Sequence, residues 1–149
     1  MSPLLLKTSI SHNARSIAYD RSLLERLVAA AFSHCLTLAK KNNAELVGLP
    51  GVEISILGSR AMAKVHRAFL DIHGATDVIT FPYGEILVCA PVAAARGPDF
   101  GHSTTEELAL YIIHGLLHLS GFDDILEPDA EKMAATQQEI LKIVLSEIR

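Results

Sequence analysis

The stretch Ile112-Ile-His-Gly-Leu-Leu-His-Leu-Ser-Gly-Phe-Asp-Asp124 decides how the rest of the chain is read. It sets two histidines, His114 and His118, four residues apart inside an apolar run, then a glycine, then two carboxylates. Residues four apart on a helix project from the same face, one turn above the other. Two imidazoles so placed can clamp one divalent ion, and a tetrahedral site takes a third protein ligand and leaves the fourth position to water. Gly121 supplies the left-handed turn that stops the helix, so Asp123 or Asp124 can swing back toward the same ion. Beside His114, where zinc hydrolases of the two-histidine type carry a Glu, this chain has Gly115.

Working outward, Ser103-Thr-Thr-Glu106 is a capping box that starts the histidine helix. Pro128 opens a last helix whose apolar stripe is Met133, Ile140, Leu141, Val144 and Ile148. Upstream, residues 76–81 and 85–90 read as two strands broken by Pro82 and Gly84, a hairpin pattern. Residues 91–101 hold a helical turn or two. Residues 52–58 alternate as a strand, and Ser59 is expected to cap a short helix to about Leu70, with Met62, Val65 and Phe69 as its apolar face. Residues 4–11 read as a first strand. Asp20 caps a long helix to about Lys41, along which Leu24, Val28, Ala31, Cys35 and Leu38 recur at helical spacing. Residues 42–51 read as a loop. Strands interleaved with helices predict an α+β fold, a small mixed four-stranded sheet packed with about five helices.

The 149 residues suit a single domain over 1–149. Half are apolar and the net charge is −4, so no global positive field recruits nucleic acid, and any such binding needs a local patch. Arg60, Lys64 and Arg67 provide one: they fall at i, i+4 and i+7 on a single helix face, with Asp71 beside them, and are read as RNA phosphate contacts. The two cysteines form no CxxC pair, and Cys35 reads as core, a reducing cytoplasmic pattern. No run approaches the length of a membrane span, and the N-terminal apolar run is too short for a signal peptide.

The motif HGLLHLSGFDD resembles the HGxLHLxGYDH signature of the YbeY endoribonucleases. The resemblance extends to Thr76-Asp-Val-Ile-Thr-Phe-Pro82, to Gly84-Glu-Ile-Leu-Val-Cys-Ala-Pro91, to the run from Asp99 through the histidine helix, and to Glu131–Leu141. It covers roughly residues 52 to 149. It implies a metzincin-like metal helix and a metal-dependent, single-strand-specific endoribonuclease of the cytoplasm. The implied role is in ribosomal RNA maturation and ribosome quality control, with the small ribosomal subunit and assembly factors as partners and neither DNA nor membrane. The implied cofactor is one Zn2+ per chain, held by His114, His118 and a third ligand.

Two departures stand out. The family's third metal histidine is Asp124 here, and a family Arg falls at Leu70. Asp is a good zinc ligand, but it lowers the net charge of the site and makes Mn2+ or Fe2+ more competitive. Asp123 matches the family's Asp and is read as supporting the ligands from behind or capping the turn, with a one-residue slip that makes it the ligand as the alternative. With Gly115 in place of Glu no general base is identified; His66, His73, Asp77 and His102 are candidates by position. The alternatives are a catalytically weakened ribosome-assembly binding protein and, against the missing Glu, a metzincin-like metalloprotease.

Overall fold

The computed structural model describes residues 8–72 and 74–148. Four strands form one mixed sheet: β1 (Thr8–His12), β2 (Val52–Leu57), β3 (Val78–Phe81) and β4 (Glu85–Cys89), in the order β1-β2-β4-β3. β1 pairs parallel to β2 and β2 parallel to β4, while β3 returns antiparallel to β4 as the expected hairpin. Among the described residues there are five α-helices, α1 (Arg21–Asn42), α2 (Ser59–Leu70), α3 (Ala90–Arg96), α4 (Thr104–Leu119) and α5 (Glu127–Glu147). The α+β class and the mixed four-stranded sheet are those predicted.

The alternation of strand side chains divides the core into two layers. Ile54, Ile56, Ile86 and Val88 face α1, α4 and α5 and join the main core. Leu87, Cys89 and Ile79 face the other way, where Met62 of α2 covers them. By length and composition α1 could cross a membrane, but its apolar residues Leu24, Leu27, Val28, Ala31, Phe32, Cys35 and Ala39 are buried in the core, chiefly against α4. Asp20 caps it as expected, accepting from the Leu23 N–H at 3.0 Å.

Several boundaries differ from expectation. α2 is capped by Gly58, not Ser59, which makes no capping hydrogen bond and is the first helical residue. The expected apolar face of α2 does meet the sheet, though unevenly: Met62 is fully buried, Val65 packs beside it, and Phe69, still largely exposed, sets its ring edge-to-face on Phe81 of β3 at 5.4 Å between centroids. Residues 76 and 77 lie ahead of β3, and Ala90 starts α3 rather than ending β4. The loop at 42–51 contains a 3-10 turn at Glu45–Gly48 whose Leu46 plugs the core. Residues 4–7 of the expected first strand, and His73, lie outside the described residues.

α4 is the central element. From Glu107 to Ser120 every residue is buried except His114 and His118. The capping box is complete: Ser103 Oγ accepts from the Glu106 N–H at 3.1 Å and Glu106 Oε1 accepts from the Ser103 N–H at 2.8 Å. A helix surrounded by protein loses nothing by being apolar all round.

Candidate metal centre and its cleft

The two histidines are windows in an otherwise buried helix, and the turn after α4 is built to bring a carboxylate to them. Gly121 takes φ +96°, and Phe122 N–H donates to the Leu117 carbonyl at 2.9 Å, which closes the helix end. Asn42 Nδ2 donates to the Ser120 carbonyl at 2.9 Å and ties the turn to the end of α1. Asp123 Oδ1 accepts from the Ile125 N–H at 2.7 Å, a local turn of the kind Asp favours. Asp123 thus braces the loop, and Asp124 points to the helix.

Asp124 Oδ2 lies 3.4 Å from His114 Nε2 and 3.7 Å from His118 Nε2, and the three donor atoms all fall within 4.8 Å of one another. Tetrahedral zinc with bonds of about 2.0–2.1 Å places its ligand atoms roughly 3.3–3.4 Å apart, so Asp124 already stands near that spacing from each histidine, and the three residues suit such an ion once they close on it. His114 is also oriented from behind: its Nδ1–H donates to Gln137 Oε1 of α5 at 2.7 Å, leaving Nε2 with its lone pair toward the cluster. That partner was not legible in the sequence, because Gln137 is 23 residues away on another helix.

Gly115 has a steric cause. A Cβ there would sit 2.9 Å from Ile86 Cδ1, Ile86 Cγ2 and Thr80 Oγ1. The glycine lets α4 press directly onto β3 and β4. The position of the missing Glu is therefore packed against the sheet.

The pKa of His118 is lowered from the ordinary 6.5, first by burial, then by the neighbouring His114, with Asp124 and a backbone contact at Phe122 opposing. The sign follows. Below about pH 6.5 the unfolded chain binds a proton at His118 that the folded chain resists. Metal-free protein should therefore lose stability as pH falls through and below that value, and regain it above. Thermal melts of EDTA-treated protein across this range check it, and a Tm that rises on acidification contradicts it.

The cluster opens into a cleft of about 930 Å³. Glu107, Tyr111, His114 and His118 of α4 line it at helical spacing, together with Val78 and Thr80 of β3, Arg96 at the end of α3 and Phe100 just after it. Arg96 is the one Lys or Arg side chain among these lining residues, and sequence reading passed over it because 91–101 reads only as a linking turn. Its Nη1 donates to Asp77 Oδ2 at 3.2 Å, and Asp77 Oδ1 accepts from the Val78 N–H at 2.8 Å.

Of the positional candidates for a base among the described residues, Asp77 alone lines the cleft. His66 Nδ1 donates to the Gly74 carbonyl at 2.9 Å, tying down the turn after α2. His102 Nδ1 meets the buried Glu107 carboxylate at 2.8 Å. Arg60, Lys64 and Arg67 are not brought to the cleft. They ride on α2, which packs on the opposite face of the sheet from α4, so the alternation of β4 keeps that stripe away from the histidines.

Tyr111 is the one residue among those described with a buried side-chain polar atom lacking a hydrogen-bond partner. Burial, then the charge of the adjacent Glu107 and a loose interaction of the hydroxyl with that carboxylate, push its pKa up. With no well-formed hydrogen bond to lose, Tyr111→Phe should change stability by less than about 1 kcal/mol in urea unfolding, and a larger loss would mean that the contact with Glu107 is a full hydrogen bond.

The mixed sheet, the buried helix and its paired histidines define an α+β domain with a candidate metal centre beside an open cleft. The family model of endoribonuclease YbeY matches residues 9–144. The chain belongs to the endoribonuclease YbeY family. An endoribonuclease YbeY of Mycolicibacterium gilvum is 38% identical over 115 residues, covering 62% of this chain and 64% of that protein, so the match spans a little under two thirds of its length. One of Clavibacter michiganensis subsp. michiganensis is 36% identical over 148 residues, 87% of this chain and 90% of that one. A solution structure of a Thermotoga maritima protein has the same fold, with a TM-score of 0.58 at 26% identity over 95% of this chain and 91% of that one.

Proposed function

We propose that this protein is a metal-dependent hydrolase that cuts single-stranded RNA, acting in the cytoplasm in ribosomal RNA maturation and ribosome quality control. The observation that carries it is the convergence of His114, His118 and Asp124 beside a cleft open enough to admit a strand. His114 and His118 through Nε2, and Asp124 through Oδ2, would hold a divalent ion, zinc by preference, with manganese or iron(II) made competitive by the carboxylate. Such an ion, when bound, supplies Lewis acidity toward a phosphate oxygen. Gln137 keeps the His114 ring oriented, Asp123 holds the loop that carries Asp124, and Gly115 lets the helix seat against the sheet. A metzincin-like protease is disfavoured, since the position of its Glu is filled by contact with Thr80 and Ile86. A binding protein with decayed catalysis is disfavoured by a third ligand that still meets the two histidines.

The test compares labelled single-stranded and duplex RNA, with and without EDTA, with the His114→Ala protein as control. Cleavage confined to the single strand and to metal-loaded wild type supports the reading. No cleavage, or cleavage indifferent to EDTA and to the substitution, overturns it.

The ligand register has its own test. Asp124→Asn should weaken metal binding by about tenfold or more, because a neutral amide is a poor zinc ligand. Asp123→Asn should do so much less, since its oxygen is spent on Ile125. Asp124→His should keep zinc bound. Elemental analysis of the purified variants reads all three, and the reverse order for 123 and 124 would shift the ligand by one residue.

A further inference from the structure

The cleft has two chemically different ends. At one are the histidines and Asp124. At the other, α3 ends in Arg96 and runs into a 3-10 turn, Gly97–Phe100. Both Arg96 and Phe100 line the cleft, and both are open to solvent, the Arg96 side chain 56% exposed and Phe100 65%. Other large apolar side chains are as exposed, Phe69, Tyr83, Ile125 and Leu126 among them, but of these described residues Phe100 alone lines the cleft.

The segment that carries them is held firmly. His102 N–H donates to the Gly97 carbonyl at 2.9 Å, and a Cβ on Gly97 would meet the His102 carbonyl oxygen at 2.9 Å, so the chain folds back tightly there. Gly101 ends the turn at φ +73°. Arg96 is aimed by Asp77, whose other oxygen is fixed by the Val78 backbone. Asp77 engages Nη1 of a guanidinium that has five N–H donors. The cleft's remaining charges are carboxylates, Glu45, Asp77, Glu107 and Asp124, so an anion entering it finds in Arg96 the single lining Lys or Arg side chain among the described residues. Glu107 is itself engaged by His102.

We propose that Arg96 and Phe100 form a nucleotide subsite at the α3 end of the cleft, the guanidinium taking a backbone phosphate and the ring stacking on the adjoining base. Asp77 is its positioning residue. The subsite would hold the strand beside the nucleotide at the metal centre, and it rests on the reading of the cleft as an RNA site. Stacking on an exposed ring tolerates any base, and a single guanidinium reads only charge, so the subsite adds affinity and register without sequence preference. Its pre-set geometry spares the ordering cost that a loose loop would incur.

The experiment is anisotropy of a labelled 2′-O-methyl single strand across a salt series, beside cleavage of the matching RNA. Arg96→Gln should weaken binding roughly fivefold at low salt and lower the log–log salt slope by about 0.7, the loss of one phosphate contact on a single strand. Arg96→Lys should restore the slope. Phe100→Ala should cost roughly tenfold and leave the slope alone. A single neutral methylphosphonate linkage, moved along the strand, should at one position cost the wild type what Arg96→Gln costs and cost that variant nothing further. Wild-type affinity in both Arg96→Gln and Phe100→Ala, with wild type still binding and cleaving, sinks the subsite and leaves the nuclease reading intact. Weakened binding in Arg96→Gln with an unchanged slope would mean that Arg96 reads a base, and overturns the phosphate assignment. If wild type neither binds nor cleaves single strands, both readings fall.

Discussion

His114→Ala is expected to abolish stoichiometric metal binding, with an affinity loss of at least about a hundredfold, while the chain stays folded. Loss of an outer partner that merely orients a ligand already costs about 10–100-fold, and His114 is proposed as a ligand itself, the one whose Nε2 lies nearer to Asp124. The fold should survive because its core is complete without the imidazole. The helix around His114 is buried through Leu108, Ile112, Ile113, Leu116 and Leu117, none of which touches the metal face. A domain of this size does not need an ion to fold, unlike a zinc finger. The stability change should be of the order of 1 kcal/mol. Elemental analysis and a urea melt of the same sample decide it: metal retained at one per chain removes His114 from the site, and an unfolded variant makes the metal structural.

Gly115→Ala should destabilise the protein by about 1–3 kcal/mol, against the usual preference of helices. In an open helix, replacing Gly by Ala gains close to 1 kcal/mol. Here the added methyl lands 2.9 Å from three atoms, two of them on the Cβ branches of Ile86 and Thr80, which cannot swing aside without moving β3 or β4. Overpacking of this kind costs about 1–3 kcal/mol. Gly115→Glu, which writes in the acid of the two-histidine proteases, should fare worse, giving unfolded or metal-free protein rather than a peptidase. Urea unfolding of the alanine variant provides the check, and a gain in stability would show that the sheet yields at this point.

What could be read in the sequence was chemistry that is local along the chain. The capping box at Ser103, the stop at Gly121 and the helical spacing of His114 and His118 each depend on neighbours within a few residues. The return of a carboxylate at 123 or 124 followed from the turn, and the resemblance to the family motif singled out Asp124. What could not be read depended on pairing between distant segments. Gly115 makes sense only once β3 and β4 are known to lie against it, and Gln137 only once α5 is seen to cross behind His114. The Arg60, Lys64 and Arg67 stripe has correct helical periodicity, yet periodicity says which residues share a face and not which side of the sheet that face is on. Arg96 was hidden for the converse reason, an isolated charge in a segment with no pattern, made conspicuous only by the cleft around it.

The burial of α4 sets an order in which the site comes apart. Two of the three donors are carried by the helix most deeply enclosed in the molecule, and the third by an exposed loop that begins after the Gly121 turn. In native-state hydrogen exchange the amides of residues 108–117 should open only with global unfolding, whereas those of 122–126 should exchange through small, frequent fluctuations. The histidine pair should therefore keep its spacing when the loop opens, with Asp124 the donor that comes and goes. The residence time of an ion held there would then be governed by the turn, not by the helix, and substitutions in 121–126 would tune how fast the third donor is released without disturbing the two that remain.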